Sequence, residues 1–251
     1  HVFFFMAHHI VWDGWSFDLF YQEMATIYAA YVAGEVSPLA DLAVTYCDYA
    51  AWHRKWMDGD ECERQSSYWR AQLTEIGQVI PLPIDRLPAA QSIGTGATKW
   101  VSVDTKRTSS LHALASRTGV TQFIVTLTLF GVLLYDYSRS RKLVIGTPVR
   151  GRPAPEFEVI MGYFNNLLVM PVEVDPEQSV VDLIGRVKAS VVGGYAAADA
   201  SLENIASVTK GSSGHGAGLL YQALFSFQDG RQRPSEWGHL RHSMIPLFQS
   251  G

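Results

Sequence analysis

The sequence predicts an α/β fold in which buried strands alternate with helices. Short apolar runs of strand length occur at 2–6, 143–149 and 167–174, and segments with the helical spacing of apolar residues lie between them. Hydrophobic residues make up 47% and charged residues 18% of the 251 residues, which is typical of a packed globular protein. This length suits one large domain or two lobes, and no internal repeat is found.

The first predicted elements are a strand, a turn and three helices. The continuous apolar run at 2–6 is typical of a strand that is buried on both faces. Ser16 is a suitable N-cap for the helix that follows, which we expect to end near Gly34. Two more helices are predicted at 46–57 and 60–73, with their aromatic residues packed against the rest of the lobe.

Prolines and glycines interrupt regular structure around 86–98, which we therefore interpret as a linker. The first lobe would then span 1–85 and the second 99–251. Pro171 predicts that its strand lies at a sheet edge or contains a bulge. The predicted elements of the second lobe are a strand at 99–103, helices at 108–117 and 122–137, strands at 143–149 and 167–174, helices at 180–198 and 202–208, and a strand at 222–228.

Charge and cysteine content exclude several classes of protein. The formal net charge of −4, with no block rich in Lys or Arg, predicts no nucleic-acid partner and no membrane-binding patch. We expect Cys47 and Cys62 to be free thiols, which is compatible with a cytoplasmic location. No signal peptide or membrane-spanning run is recognisable. Because the first residues look like the middle of a core strand, we expect a fragment of a longer chain.

The most informative segment is 8–16, where a histidine pair precedes an aspartate, a glycine and the start of a helix. A strand, a tight turn and a helix can present an imidazole at the mouth of a cleft, and an unperturbed histidine can act as a base near neutral pH. Asp13 can orient an imidazole or hold the turn. Gly14 can allow a close approach of the backbone.

A metal site is the main competing interpretation, with His8, His9, Asp13 and the distant His53 as ligands. Adjacent histidines on a strand point to opposite faces, so both cannot easily bind one ion. The HExxH spacing of metalloproteases is absent, and the glycine-rich stretch 211–218 lacks the ending of a phosphate-binding loop. We therefore predict no bound metal and no nucleotide phosphate site.

Residues 8–16 resemble the HHxxxDG signature of the condensation domains of nonribosomal peptide synthetases. This resemblance implies a chloramphenicol acetyltransferase-like, two-lobed α/β fold, here a partial N-lobe and most of the C-lobe. At 197–205 the family usually reads HQDxPFExL, and the His, Pro and Phe of that motif are missing here. Further segments that resemble the family's blocks, in the family's order, are 46–54, 63–70, 82–86, 145–152, 161–166 and 221–229.

The resemblance implies an acyltransferase that forms an amide bond between a donor acyl thioester and an acceptor amine. Both substrates would be carried on the phosphopantetheine of carrier proteins, so the partners would be these carriers and adjacent synthetase domains, with no directly bound cofactor. The histidine pair and the Trp-Ser-Phe that follows Gly14 favour condensation over heterocyclisation or epimerisation. An acyltransferase acting on a soluble acceptor and a non-catalytic docking domain are the alternatives.

The resemblance also implies catalytic roles for the histidines and the aspartate. His9 would lie near the acceptor amine and either accept its proton or form a hydrogen bond with it, whereas His8, at the same site, is expected to point into the structure. Asp13 is expected to brace the turn through an ion pair, because removing one partner of a buried pair is costly. Arg152 and Arg150 are both candidates for its partner, and a residue in the expected N-terminal part of the longer chain is a third.

The remaining predicted site residues concern the substrate. The backbone N–H of Gly14 is placed by analogy near the tetrahedral oxyanion. Trp15 and Ser16 are predicted to contact substrate because they extend the motif. Asn166 matches an asparagine of the family, which either lines the substrate tunnel or caps a strand.

Overall fold

The computed structural model describes residues 2–73, 80–83, 97–209, 220–228 and 233–243. The predicted linker at 86–98 and the glycine-rich stretch at 211–218 lie largely or wholly outside the described residues. The division into lobes at 1–85 and 99–251 therefore stays a prediction. The chain forms two compact units: unit 1 contains His1–Gln65, Pro148–Asn166 and Gln228–Ile245, and unit 2 contains Ser66–Thr147, Leu167–Phe227 and Pro246–Gly251.

The described residues form an α/β chain, as predicted. The elements in chain order are the 3-10 helix η1 (His9–Val11), α1 (Gly14–Val32), α2 (Tyr46–Met57), α3 (Asp60–Leu73), α4 (Thr105–Thr118), α5 (Gln122–Ser138), β1 (Lys142–Val149), the 3-10 helix η2 (Pro155–Phe157), β2 (Asn166–Glu173), α6 (Val180–Tyr195), α7 (Leu202–Thr209), β3 (Ala223–Leu224), β4 (Glu236–Trp237) and β5 (Leu240–Arg241).

Most helices begin where a short polar side chain accepts a hydrogen bond from the first turn. In α2, Thr45 and Asp48 form a reciprocal capping box, and this helix has the predicted bounds 46–57. Helix α3 also has its predicted bounds, 60–73. Further caps of this type include Asp13 before α1, Asp104 before α4, Thr121 before α5 and Ser179 before α6.

Unit 1 holds η1, α1, α2 and the antiparallel pair of β4 and β5, which lies along α1. Arg233, just before β4, contacts Asp18 of α1 with 2.6 Å between Nε and Oδ1. At the turn between β4 and β5, Gly238 lies against the ring of Tyr28. The segment 148–166 also belongs to this unit, so residues far apart in the chain meet at the start of α1.

Unit 2 is built around the strand order β2-β1-β3, in which β1 and β3 are parallel. The strand with Pro171 is at the edge of this sheet among the described residues, as predicted. Its core consists of apolar side chains from β1, β2, α5 and α6. Fully buried members are Leu127, Leu143, Ile145, Leu168, Met170 and Ile184.

Two predicted strands are wrong. The apolar residues at 2–6 form no ladder with any described residue, and the side chains of Phe3 and Met6 are 65% and 80% exposed. The segment 99–103 is also irregular, with Trp100 77% exposed. A strand needs a hydrogen-bonded neighbour, which an apolar run does not reveal. For the same reason the strand predicted at 222–228 shortens to Ala223–Leu224.

Two further findings concern the thiols and membrane spans. Cys47 is exposed and Cys62 is buried, and both are thiols that form no disulfide, as predicted. Among the described residues, no single helix is long and apolar enough to cross a bilayer. Helices α4 and α5 satisfy these criteria only as a pair that is bent by 107°.

Candidate active site

Helix α1 begins at Gly14 because Asp13 is its N-cap, and the predicted N-cap Ser16 lies inside the first turn. Oδ1 of Asp13 accepts hydrogen bonds from the backbone N–H of Ser16 at 2.8 Å and from its hydroxyl at 2.7 Å. Both residue types are good caps, and an ionised carboxylate accepts more strongly than a hydroxyl. The end of the histidine segment is thereby fixed to the start of α1.

The carboxylate of Asp13 also forms a buried ion pair. Nη2 of Arg152 lies 3.3 Å from both carboxylate oxygens, and both side chains are fully buried. The backbone N–H of Phe164 donates to Oδ2 at 3.2 Å. Asp13 therefore accepts from several donors at once, which suits it to hold the turn and leaves it poorly placed to act as a base.

Arg152 is held on its other side by backbone carbonyls and an aromatic ring. Its Nη1 donates to the carbonyl oxygens of Phe157 and Ile160, the latter at 2.8 Å, and its guanidinium lies 3.9 Å from the ring centroid of Phe164. Burial lowers the pKa of Arg152, and the neighbouring Asp13 carboxylate opposes this shift. An arginine keeps its charge in proteins, so this is a pair of opposite charges away from water.

Arg150, the other candidate partner of Asp13, pairs with Glu158 instead, with 2.7 Å between Nη2 and Oε1. Its guanidinium lies 4.3 Å from the ring centroid of Trp15. The indole N–H of Trp15 donates to the carbonyl oxygen of Glu158 at 2.7 Å. The indole N–H is therefore engaged within the protein, and only the ring of Trp15 is left for the predicted substrate contact.

The predicted contact between Ser16 and substrate is not supported. The side chain of Ser16 is fully buried, and its hydroxyl accepts the backbone N–H of Gly162 at 2.9 Å besides its contact with Asp13. Both its donor and its acceptor capacity are therefore engaged within the protein. Ser16 links the start of α1 to the segment at 162–164.

The geometry around His9 fixes which ring nitrogen is basic. Its Nδ1 lies 2.7 Å from the carbonyl oxygen of Trp12. A carbonyl oxygen can only accept, so Nδ1 carries the proton and Nε2 carries the lone pair. The side chain of His9 is exposed, so Nε2 can receive a proton from a molecule outside.

His8 has the opposite tautomer. Its Nδ1 accepts the backbone N–H of Ile10 at 3.1 Å, so the proton of the neutral ring is on Nε2. It is the N-cap of η1 and is exposed, which corrects the expectation that it points into the structure. The argument that the two histidines lie on opposite faces of a strand also fails, because His9 belongs to η1. Among the described residues, no three His, Cys, Asp or Glu side chains are grouped so that they could hold a metal ion.

The close approach of backbone predicted at Gly14 is not seen, and Asn166 lies at the start of a strand. A Cβ on Gly14 would meet no atom within 4 Å, so the backbone makes no close approach there in the described part of the protein. Its N–H belongs to the first turn of α1, where such groups have no intrahelical partner. Asn166 is the half-exposed first residue of β2, and its backbone N lies near Gly151.

Sequence reasoning missed the segment 162–164 and its partner Tyr46. The hydroxyl of Tyr46 donates to the carbonyl oxygen of Tyr163 at 2.7 Å, and its ring lies where a Cβ on Gly162 would stand. Burial raises the pKa of Tyr46, and the nearby Asp13 carboxylate adds to this effect. The sequence signal available for both segments was their resemblance to blocks of the family. The contact between them could not be predicted, because it joins residues more than 110 positions apart and has no local pattern.

The open space around Gly14 leads to a testable prediction. Replacing Gly14 with Ala should leave the free energy of unfolding within about 0.5 kcal/mol of the wild type, because the added methyl group meets no neighbour. Urea denaturation followed by circular dichroism measures this. A loss above about 1 kcal/mol would contradict the open environment of Gly14.

Comparisons with solved structures define the class of fold. The X-domain from teicoplanin biosynthesis matches with a TM-score of 0.76 at 26% identity, over 87% of this chain and 50% of that one. The first condensation domain of the CDA synthetase matches with a TM-score of 0.73 at 24% identity, over 93% of this chain and 50% of that one, which supports the fold alone. The predicted chloramphenicol acetyltransferase-like α/β fold is therefore confirmed.

The chain belongs to the condensation domain family, whose model matches residues 1–243. It is 36% identical to a linear gramicidin synthase protein of Brevibacillus parabrevis over 252 aligned residues, which are 100% of this chain and 3% of that protein. It is 34% identical to phosphinothricin tripeptide synthetase PhsC of Streptomyces viridochromogenes, over 89% of this chain and 21% of that protein. The chain thus spans about half of the solved domains and a small part of these synthetases.

Proposed function

We propose that this chain is part of a condensation domain that forms an amide bond between a donor acyl thioester and an acceptor amine. The observation that carries the proposal is the state of His9, whose Nδ1 proton is held by the Trp12 carbonyl while Nε2 is left as an exposed base. The relatives named above are peptide synthetases, which supports this chemistry.

The proposed reaction needs one base and precise placement of two substrates. The acceptor nitrogen attacks the thioester carbonyl carbon, Nε2 of His9 accepts a proton from that nitrogen, and the C–S bond breaks to release a thiolate. The backbone N–H of Gly14 is the proposed donor to the transient oxyanion. Holding both substrates in position can lower the barrier by about 7–11 kcal/mol, whereas a general base contributes about 10²- to 10⁴-fold.

Donor and acceptor would be carried on the phosphopantetheine of carrier proteins, with adjacent synthetase domains as further partners. A solved relative in the same fold is a four-domain nonribosomal peptide synthetase, which supports a multidomain setting. The reduced state of Cys47 and Cys62, which form no disulfide, supports a reducing, cytoplasmic location. The ring of Trp15 and the side chain of Asn166 stay proposed substrate contacts.

A docking domain without catalysis is the second candidate. The X-domain from teicoplanin biosynthesis, 26% identical to this chain, is known in a complex with OxyB. The segment 197–205, which lacks three residues of the family motif, also favours this candidate. Transfer to a soluble acceptor is a third possibility, and dependence on a carrier-bound acceptor distinguishes it from condensation.

The experiment is a single-turnover assay in the natural protein that contains this chain, with donor and acceptor loaded on their carriers. Replacing His9 with Ala should lower the rate of amide formation by about 10²-fold or more, because the base is lost. His112→Ala, which removes an exposed histidine from α4, is the matched control and should keep the wild-type rate.

Each other outcome selects a different candidate. Equal rates for His9→Ala and wild type would remove His9 from the chemistry and leave positioning as the source of catalysis. No amide product from the folded wild type with loaded carriers would favour the docking domain. Product formed with a free amine as readily as with a carrier-bound amine would favour the soluble acceptor.

A further inference from the structure

Two contacts orient the imidazole of His9 in the described part of the protein. One is the hydrogen bond from Nδ1 to the carbonyl oxygen of Trp12. The other is an edge contact with the ring of Tyr163, with centroids 5.4 Å apart and ring planes at 81°. The ring moves by rotation about its two side-chain torsions, and each time the hydrogen bond to Trp12 opens, these torsions are free to change. A ring contact on another side of the imidazole restricts both rotations.

Tyr163 is well placed to supply this second contact because its backbone is fastened at three consecutive residues. The backbone N–H of Gly162 donates to the hydroxyl of Ser16 at 2.9 Å, and that of Phe164 donates to Asp13 at 3.2 Å. Between them, the carbonyl oxygen of Tyr163 accepts the hydroxyl of Tyr46. The segment that presents the Tyr163 ring is thus tied to the same turn that follows His9.

We propose that Tyr163 is a positioning residue that holds the His9 imidazole in the orientation in which Nε2 faces the acceptor amine. This role rests on the proposed function of His9. The contact is made by the ring and not by the hydroxyl, since two edge-packed aromatic rings attract each other through their charge distributions. The Tyr163 side chain is 38% exposed, so its truncation opens no buried cavity.

The kinetic test compares Tyr163→Ala with Tyr163→Phe in the natural protein under steady-state turnover, with donor and acceptor loaded on their carriers, so that kcat and KM are measured separately. Tyr163→Ala should lower kcat about 10-fold with KM within about 2-fold of the wild type, because small displacements of a catalytic group are costly while substrate binding is retained. Tyr163→Phe keeps the ring and should keep kcat within about 2-fold. Tyr163→Leu replaces the Ala variant if the latter does not fold.

A spectroscopic readout tests the same role without turnover. Two-dimensional ¹H–¹⁵N spectra of the imidazole rings, with the His9 signal assigned by His9→Asn, report which nitrogen is protonated. Wild type and Tyr163→Phe should show a protonated Nδ1 and an unprotonated Nε2, whereas Tyr163→Ala should move both nitrogen shifts towards the average of the two tautomers.

The two readouts separate failure of this proposal from failure of the proposed function. Unchanged His9 nitrogen shifts in Tyr163→Ala, or equal loss of kcat in the Ala and Phe variants, would overturn the positioning role. If His9→Ala keeps full activity, the base in the proposed function fails, and the shifts still decide whether Tyr163 orients the ring.

Discussion

Replacing Asp13 with Asn is expected to lower the free energy of unfolding by about 3–5 kcal/mol, as is typical when one partner of a buried ion pair is removed. Arg152 keeps its charge and loses the carboxylate that lies 3.3 Å from Nη2. The amide has one oxygen where the carboxylate has two, so it cannot accept from Ser16, Phe164 and Arg152 together. Both losses occur away from water, where an unsatisfied polar group is most costly.

Urea denaturation of variants in two ion pairs, Asp13 with Arg152 and Glu158 with Arg150, measures this effect. Glu158→Gln breaks the pair of Arg150, which is partly exposed, and should cost less than about 1 kcal/mol. Combining Asp13→Asn with Arg152→Met should restore part of the loss, because no unpaired buried charge is left. A similar small cost for Asp13→Asn and Glu158→Gln would show that burial does not set the strength of the first pair.

Gly151→Ala is expected to lower the free energy of unfolding by about 4 kcal/mol or more, one of the largest effects for a single substitution. The backbone at Gly151 has φ +57°, a left-handed conformation that costs a residue with a Cβ about 1–2 kcal/mol. The added Cβ would also overlap the carbonyl oxygen of Phe164. Because that oxygen belongs to the backbone, no side-chain rotation can relieve the overlap.

Gly119→Ala is the matched control, since its φ of +62° is similar but a Cβ there would meet no atom within 4 Å. It should lose only the conformational part, about 1–2 kcal/mol. The difference between the two variants in urea denaturation therefore measures the overlap with Phe164. Equal losses would contradict this close contact.

Local signals predicted the helices and the two long strands β1 and β2 well, and the other strands poorly. The capping box at Thr45 and the helical spacing of apolar residues account for the bounds of α2 and α3. Both signals involve residues that lie within a few positions of each other in the chain. The apolar segments at 2–6 and 99–103 have equally clear strand patterns but pair with no described residue. Their pairing depends on distant chain segments, and a periodic pattern contains no information about these.

The histidine motif located the site, but no sequence signal predicted the contacts that its residues make with distant parts of the chain. Asp13 meets Arg152 and Phe164 across 139 and 151 residues, distances at which spacing says nothing. Nor does the sequence choose between Arg150 and Arg152, which would share a face in an extended strand. The left-handed conformation of Gly151 between them breaks that alternation and directs one arginine into the interior and the other to Glu158.

The partner of His9 Nδ1 is a peptide carbonyl, so a neutral group and not a carboxylate faces the ring when Nε2 takes up a proton in the proposed reaction. A carboxylate in that place would stabilise an imidazolium by its charge, whereas a neutral carbonyl stabilises it much less. In the proposed reaction the proton taken up by Nε2 would then pass to the departing thiolate. Each round of catalysis would then begin and end with the same neutral ring, and no charge would be stored in the site between rounds.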